Sequence, residues 1–468
     1  MNVPRFVWGL AGVAVVALVF GARVLIGAPV IPYQESYAHL LASSEVRSAI
    51  PMLNGFWGVQ PSMIDVLLAC FPSVVWLVGF QLLLAFVAGW SAGIVGERVL
   101  GRSGWLVGLL AVCSPTFLFL FSTINPWSAV VVVFLFGLVL LPRFPRAGLL
   151  LWSSAFLFDM WSGLLLVGLG CMIGSLRAQL PRLFGRRDGN ERGLVVFFLV
   201  SCVVSFALRL VFVPPSWRAH LLSLKYGAGA FFPFVEFGVQ EGVSFILVVL
   251  GLIGFVRSWR KSWRWVVLQV GVVVLFGSVV IFEGARIFAW VVLTCYAALA
   301  LSWMGRRKWE LQEVQRVSLF IIGCSLLLVF ASALKGFILA KPDKELLEGV
   351  SFLSSGWSDG ILAHPADAPF VAFSTGKKVF LLHTLPLDDD LQERVRALRA
   401  IWLGRDLNTT LSLLNRYDIR FIIVTPEMRD GAVWERDEEG LLFFLEHSER
   451  FINVNPDLRV EIWRVIQK

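Results

Sequence analysis

The chain has 468 residues, of which 57% are hydrophobic, with 39 Phe and 19 Trp, and a mean hydropathy of +0.76. That composition excludes an ordinary soluble domain and reads as a polytopic membrane protein. The net charge of +8 is unevenly placed: residues 341–468 carry 16 basic and 21 acidic residues, so residues 1–340 hold 25 basic and 12 acidic ones. The basic excess is therefore a topological signal of a membrane protein, and nucleic acid is excluded as a partner. Six cysteines in or beside apolar stretches, with no CxxC or Cys/His spacing, exclude a zinc site and a disulfide framework.

In chain order, uncharged blocks of roughly 17–25 residues mark spans, and flanking arginines orient them. The first, 6–27, follows Arg5 and lacks a small-residue cleavage site, so it is expected to be a retained span. It delivers a large external loop, 28–70. Block 71–96 returns inward to Glu97 and Arg98. Residues 103–141 are too many for one crossing, and Thr123-Ile124-Asn125-Pro126 divides them into an out-and-back pair. Residues 147–176 must bend near Asp159 to keep Arg177, Arg182, Arg186, Arg187 and Arg192 inside. Blocks 193–213, 242–256, 265–282, 286–304 and 317–338 complete an alternation of about 11 membrane segments. The N-terminus is then cytoplasmic and residues 341–468 form a soluble extracytoplasmic α/β domain. In it, 370–373, 378–382 and 420–424 read as strands, and 391–402, 410–417 and 441–445 as helices.

The stretch Pro29-Val30-Ile31-Pro32-Tyr33-Gln34-Glu35-Ser36-Tyr37-Ala38-His39-Leu40 carries the most chemistry. It holds an acid just outside the first span, and an acid at a membrane surface is a functional candidate by default. Two prolines fix the chain leaving the helix, and Tyr33, Tyr37 and His39 supply rings that could line a pocket. Asp159 is a second membrane carboxylate that needs a partner wherever it lies. Arg286, with Arg218, is a cation at an outer boundary suited to gripping phosphate; salt bridging of Arg286 to Glu283, or snorkelling, is the structural alternative.

A first span, an acid soon after it, short-looped spans and a terminal extracytoplasmic domain together resemble the GT-C superfamily of membrane glycosyltransferases. That superfamily includes protein O-mannosyltransferases, lipid A aminoarabinose transferases and oligosaccharyltransferase catalytic subunits. The resemblance rests on residues 32–40, similar to the acidic-aromatic motif of the first external loop, and on Ser114-Pro115-Thr116, similar to the "SP" before the second. It rests also on Glu283-Gly284-Ala285-Arg286-Ile287-Phe288 and Trp357-Ser358-Asp359-Gly360. It implies transfer of a sugar from a polyprenyl-phosphate-linked donor in the membrane lipid to an extracytoplasmic acceptor. Glu35 would be the base, Arg286 and Arg218 would hold the donor phosphate, and Gln34, Tyr33, Tyr37, His39, Asn125 and Asp159 would line the substrate pocket. Trp357 and Asp359 would meet the acceptor. A divalent cation suits the class, but the second loop offers only Asn125, so the metal site is incomplete and no metal ligand is assigned. A membrane protein complex is compatible with the class. The alternatives are a non-catalytic GT-C-like scaffold or subunit and, with spans nearly free of charge, a transporter.

Overall fold

The computed structural model describes residues 4–48, 68, 73–171, 191–212, 244–259, 263–278, 283–307, 309–353, 360–382, 389–436 and 439–466. Helix α1 spans Phe6–Leu25 and α2 spans Gln34–Ser48. The long α3, Val74–Leu100, ends in a 3-10 turn, Gly101–Ser103. Then come α4 (Trp105–Val112), α5 (Pro115–Ser122), α6 (Pro126–Leu140), α7 (Pro145–Ser153), α8 (Ala155–Phe158), α9 (Met160–Cys171) and α10 (Glu191–Phe212). Four further apolar helices are α11 (Phe245–Ser258), α12 (Trp263–Ser278), α13 (Glu283–Arg306) and α14 (Gln312–Ile338). The remainder is α15 (Lys344–Leu353), β1 (Gly360–Leu362), α16 (Ala368–Thr375), α17 (Asp389–Trp402), α18 (Leu407–Arg416), β2 (Ile419–Val424), α19 (Gly440–His447), β3 (Phe451–Asn453) and β4 (Glu461–Val465).

The chain divides into two compact units. One is built on Met1–Ala22 and Phe71–Ile338, the other on Arg23–Pro61 and Leu339–Lys468. The first unit is helical. Among the described residues, four helices are long and apolar enough to cross a membrane: Phe6–Leu25, Val74–Ser103, Ile287–Arg306 and Gln312–Ile338. The pair α4 and α5, bent by 63°, makes a fifth if it is one span.

In a bilayer, helices gain little from burying one another's apolar surface, so close backbone approach and polar satisfaction decide the packing. Gly251 and Gly254 of α11 meet Leu293 and Tyr296 of α13, and a methyl on Gly254 would collide with the Tyr296 carbonyl. Gly12 of α1 stands against α3, where an added methyl would lie 2.8 Å from the Ala85 carbonyl oxygen. Breaks in the helices are capped. Ser114 Oγ accepts from the Phe117 amide at 3.1 Å and Pro115 fills the first turn, so the Ser-Pro pair starts α5. Arg98 donates to the Leu138 and Val139 carbonyls at the end of α6, both at 2.9 Å. Arg5, just ahead of α1, pairs with Glu97 near the end of α3 at 2.5 Å.

The second unit holds a four-stranded sheet in the order β1-β2-β4-β3. β1 runs parallel to β2, while β4 is antiparallel to both β2 and β3. The core under it includes Leu398, Ile401, Trp434, Leu441 and Leu442. Arg429 ties α19 to β4: it grips Glu461 through Nε at 2.8 Å and Nη2 at 3.0 Å, and Glu446 through Nη1 at 2.9 Å. Two hydrogen bonds set residues 378–380 beside β1: the Ile361 amide donates to the Lys378 carbonyl and the Phe380 amide to the Ile361 carbonyl. The bridge between Ile361 and Val379 is parallel.

Residues 370–373, expected to form a strand, lie inside helix α16. The run from Ala368 to Ala372 is buried on every side, so it lacks the periodicity that separates helix from strand. Its ends carry the signal, with Pro369 in the first turn and Gly376 at φ +66° closing the last.

Replacing Gly254 by Ala should lower the thermal midpoint of the detergent-solubilised chain, with a cost of about 1–3 kcal/mol from forced separation of α11 and α13. Gly271→Ala, inside α12 where an added methyl meets nothing within 4 Å, should leave the midpoint unchanged or raise it in the same melt.

Candidate active site

The segment that carries Glu35 is positioned from its backbone upward. Helix α1 ends in a Schellman closure: Gly27 sits at φ +75°, its amide donates to the Val24 carbonyl at 3.0 Å, and the Ala28 amide donates to the Arg23 carbonyl at 2.9 Å. The Arg23 side chain, fully buried, turns back over this end. Nε donates to the Pro29 carbonyl at 2.7 Å, Nη1 to that of Ala340 at 2.6 Å and Nη2 to that of Pro342 at 2.7 Å. The planar guanidinium thus ties the start of the first loop to the chain following α14. A second tie lies beside it. Tyr33, a non-glycine residue at φ +65°, donates its amide to the Lys341 carbonyl at 2.7 Å.

From this anchor α2 begins, with Gln34 and Glu35 as its first two residues. Ser36 Oγ donates back to the Pro32 carbonyl at 3.1 Å and Tyr37 Oη to the Ile31 carbonyl, also at 3.1 Å. The Tyr37 ring is buried against Phe370 and Phe373 of α16, with centroids 4.9 and 5.5 Å apart. Burial pushes the Tyr37 phenol well above its ordinary range, against the lowering influence of the Arg23 charge, so it remains a donor. His39 lies half-buried farther along α2. The helix on which Glu35 is carried is therefore fixed at its start by four side chains or amides and along one face by aromatic packing. The side chains of Gln34 and Glu35 themselves lie outside the described residues.

In the helical unit, Asn125 caps α6. Its Oδ1 accepts from the Ser128 amide at 2.9 Å, while Nδ2 donates to Thr123 Oγ1 at 2.7 Å and to the Leu120 carbonyl at 3.2 Å. The amide serves the turn between α5 and α6 on both its oxygen and its nitrogen. Asp159 sits in extended backbone between α8 and α9. Its Oδ2 accepts from the Ser162 amide at 2.7 Å, so the partner of this membrane carboxylate is a helix N-terminus. Arg286 is the fourth residue of α13, in a turn whose Ala285, Ile287 and Phe288 are buried; its side chain is outside the described residues. Arg218, Trp357 and Asp359 also lie outside them. Among the described residues, no three His, Cys, Asp or Glu side chains come together as metal ligands.

The structure brings Tyr33, Tyr37 and His39 together with Glu35 on one anchored segment of the second unit, and places Asn125, Asp159 and Arg286 in the helical unit. Sequence reasoning missed Arg23, which reads as one more boundary cation. The available signal is its place two residues before the helix end, ahead of a loop whose two prolines cannot donate N–H groups to pair the chain with itself.

With this geometry in hand, the chain can be set beside known proteins. No protein-family model matches it and no curated protein does. Solved structures do. ArnT from Cupriavidus metallidurans, bound to undecaprenyl phosphate, aligns over 98% of this chain and 98% of its own at a TM-score of 0.54 and 12% identity. The archaeal oligosaccharyltransferase AglB from Archaeoglobus fulgidus, in complex with an inhibitory peptide and a dolichol-phosphate, covers 98% of this chain and 74% of its own at 0.52 and 10% identity. Arabinofuranosyltransferase AftD from Mycobacteria covers all of this chain, which spans 42% of AftD, at 0.53 and 15% identity. The chain is a helical membrane protein with the GT-C fold.

Substituting Arg23 by Met should strip three buried carbonyls of their donor, at about 1–3 kcal/mol each. The thermal midpoint of the purified chain is expected to fall steeply, and Arg23→Lys, with a point charge in place of a fork, should recover only part of it.

Proposed function

We propose that this protein is a glycosyltransferase that moves a sugar from a polyprenyl-phosphate-linked donor to an acceptor on the extracytoplasmic side. The observation that carries the reading is the anchored start of α2, which sets a carboxylate-bearing turn directly after the first span of a GT-C fold. The polyprenyl phosphates bound to ArnT and AglB support a lipid-linked donor by analogy of fold. Arg5, Arg98, Arg102, Arg257, Arg306 and Arg307 cluster at the α1-start end of the helical unit, through the Arg5–Glu97 pair, the Arg306–Ser103 hydrogen bond and stacking of Arg257 and Arg307 on Trp303. A basic end supports a cytoplasmic N-terminus, and with it an extracytoplasmic second unit.

In the proposed step, the Glu35 carboxylate takes the proton of the acceptor hydroxyl or amide. The acceptor atom bonds to the anomeric carbon as the bond from that carbon to the phosphate oxygen breaks. The electron pair leaves with polyprenyl phosphate, whose charge is met by the guanidinium groups of Arg286 and Arg218. A divalent cation, which oligosaccharyltransferases of this class employ, does not fit the donors described. The turn that would supply the second set of ligands offers Asn125, a neutral amide that brings no charge to a cation and whose oxygen and nitrogen both serve the turn. The phosphate charge is therefore assigned to side-chain cations. The same capping role favours a second reading, a GT-C-like scaffold without activity, which predicts no transfer by the unaltered chain with any lipid-linked donor.

In vesicles supplied with labelled polyprenyl-phosphate sugars, the unaltered protein is expected to release polyprenyl phosphate, and Glu35→Gln to slow that release by about 10²–10⁴-fold without loss of donor binding. Full activity in E35Q would remove Glu35 from the chemistry. Arg286→Ala should weaken binding of polyprenyl phosphate by about 1.5–3 kcal/mol, measured by equilibrium titration of the purified protein; unchanged affinity would assign the residue to structure alone.

A further inference from the structure

The helical unit contains one more built feature, remote from Arg286. Between α4, α13 and α14 runs a groove of about 480 Å³. Its walls are apolar, formed by Leu106 and Leu109 of α4, Leu301 of α13 and Ile322 and Leu326 of α14. At one end it turns polar, with Ser103, Ser302 and Arg306. Arg306 donates to Ser103 Oγ and makes no ion pair among the described residues. Arg286 and Arg306 stand near the two ends of α13, about 30 Å apart at 1.5 Å per residue.

The charge around the polar end is lopsided. Arg102 lies in the 3-10 turn beside Ser103. Trp303, one turn before Arg306, carries Arg257 on its ring at 5.4 Å and Arg307 at 5.2 Å. Of the nearby carboxylates, Glu97 and Glu313 are committed to Arg5 and Arg316, and Glu310, exposed in the connection before α14, is one acid against the four guanidinium groups of Arg102, Arg257, Arg306 and Arg307. Helix α14, which forms one wall, has only 6% of its apolar window buried, so most of its apolar surface is left uncovered by the chain. An apolar trough ending in a cluster of guanidinium groups at a helix end is shaped for one molecule with a hydrocarbon chain and an anionic head.

We propose that this groove binds an anionic glycerophospholipid from the leaflet at the Arg5 end, one acyl chain lying along Leu106, Leu301 and Ile322 and the phosphate held by Arg306. A zwitterionic lipid presents the same chain, but its ammonium meets a surplus of cations. The guanidinium retains donors beyond the one given to Ser103, and phosphate accepts them as a pair. The site is separate from the proposed transfer chemistry and stands whether or not Glu35 is a base.

The full-length chain, purified and delipidated in detergent, is titrated with phosphatidylglycerol or phosphatidylcholine, and bound lipid is counted by native mass spectrometry. The unaltered chain should retain phosphatidylglycerol at least fivefold better than phosphatidylcholine. Arg306→Gln should lower phosphatidylglycerol retention about fivefold. Gly323→Leu, whose new side chain extends from a position with nothing within 4 Å into the groove that Gly323 lines, should reduce retention of both lipids. Equal retention of the two lipids by the unaltered chain overturns the proposal, and that comparison needs no variant. So do unchanged phosphatidylglycerol retention in both variants, displacement of phosphatidylglycerol by inorganic phosphate, or a dimer that Gly323→Leu abolishes, which would make a second copy the occupant.

Discussion

Much of the second unit depends on one buried cation. Arg23 emerges from the last turn of α1, is removed entirely from solvent, and delivers three of its five N–H groups to the carbonyls of Pro29, Ala340 and Pro342. A charge in such a place is tolerated only when dipoles surround it, and main-chain carbonyls supply them without bringing an opposing charge that could titrate. The planar fork matters, because three acceptors from two distant stretches of chain are held in one plane. Two of these carbonyls belong to prolines, residues that have an acceptor but no N–H to donate in return. The exit of the first helix, the entry to α2 and the start of the terminal region are consequently fixed as one piece. The short backbone bond from Tyr33 to Lys341 and the packing of Tyr37 on α16 extend that piece by one helix.

The helical unit solves a different problem. Broken helices in an apolar surrounding must satisfy their own ends, and the polar residues that look most like catalytic candidates there are the ones that do so. Ser114 starts α5, Asn125 starts α6 and Asp159 starts α9. A capping role does not bar a residue from also meeting a substrate, but it explains why these residue types occur at these positions without any chemistry. Glu35 and Arg286 differ, since each lies inside the first turn of a helix and not at its cap.

Composition made the membrane body legible, because it is a sum over many residues; that Arg23–Pro61 belong to the same unit as Leu339–Lys468 was not. Local punctuation was legible too: Thr123-Ile124-Asn125-Pro126 falls at the α5–α6 break and Asp159 at the α8–α9 break. In the terminal region, the run Arg420 to Val424 is a strand and Leu441 to Leu445 a helix, since turn residues and charges bound them closely. The segment 370–373 was misread because an apolar run buried all round carries no period. That error also hid the partner of Tyr37, whose ring needs a helix to rest against. The part played by Arg23 was invisible for another reason: its acceptors are backbone atoms, which have no signature of their own, and two of them lie more than 300 residues away.

That separation sets a timetable for biosynthesis. Helix α1 is made well before the Ala340 carbonyl that its guanidinium needs, which lies 317 residues downstream. At about 5–20 residues per second, roughly 15–60 s pass before the acceptors exist. Until then the cation must remain hydrated or be lent to lipid phosphates, and α1 reaches its final state only when the chain after α14 has arrived.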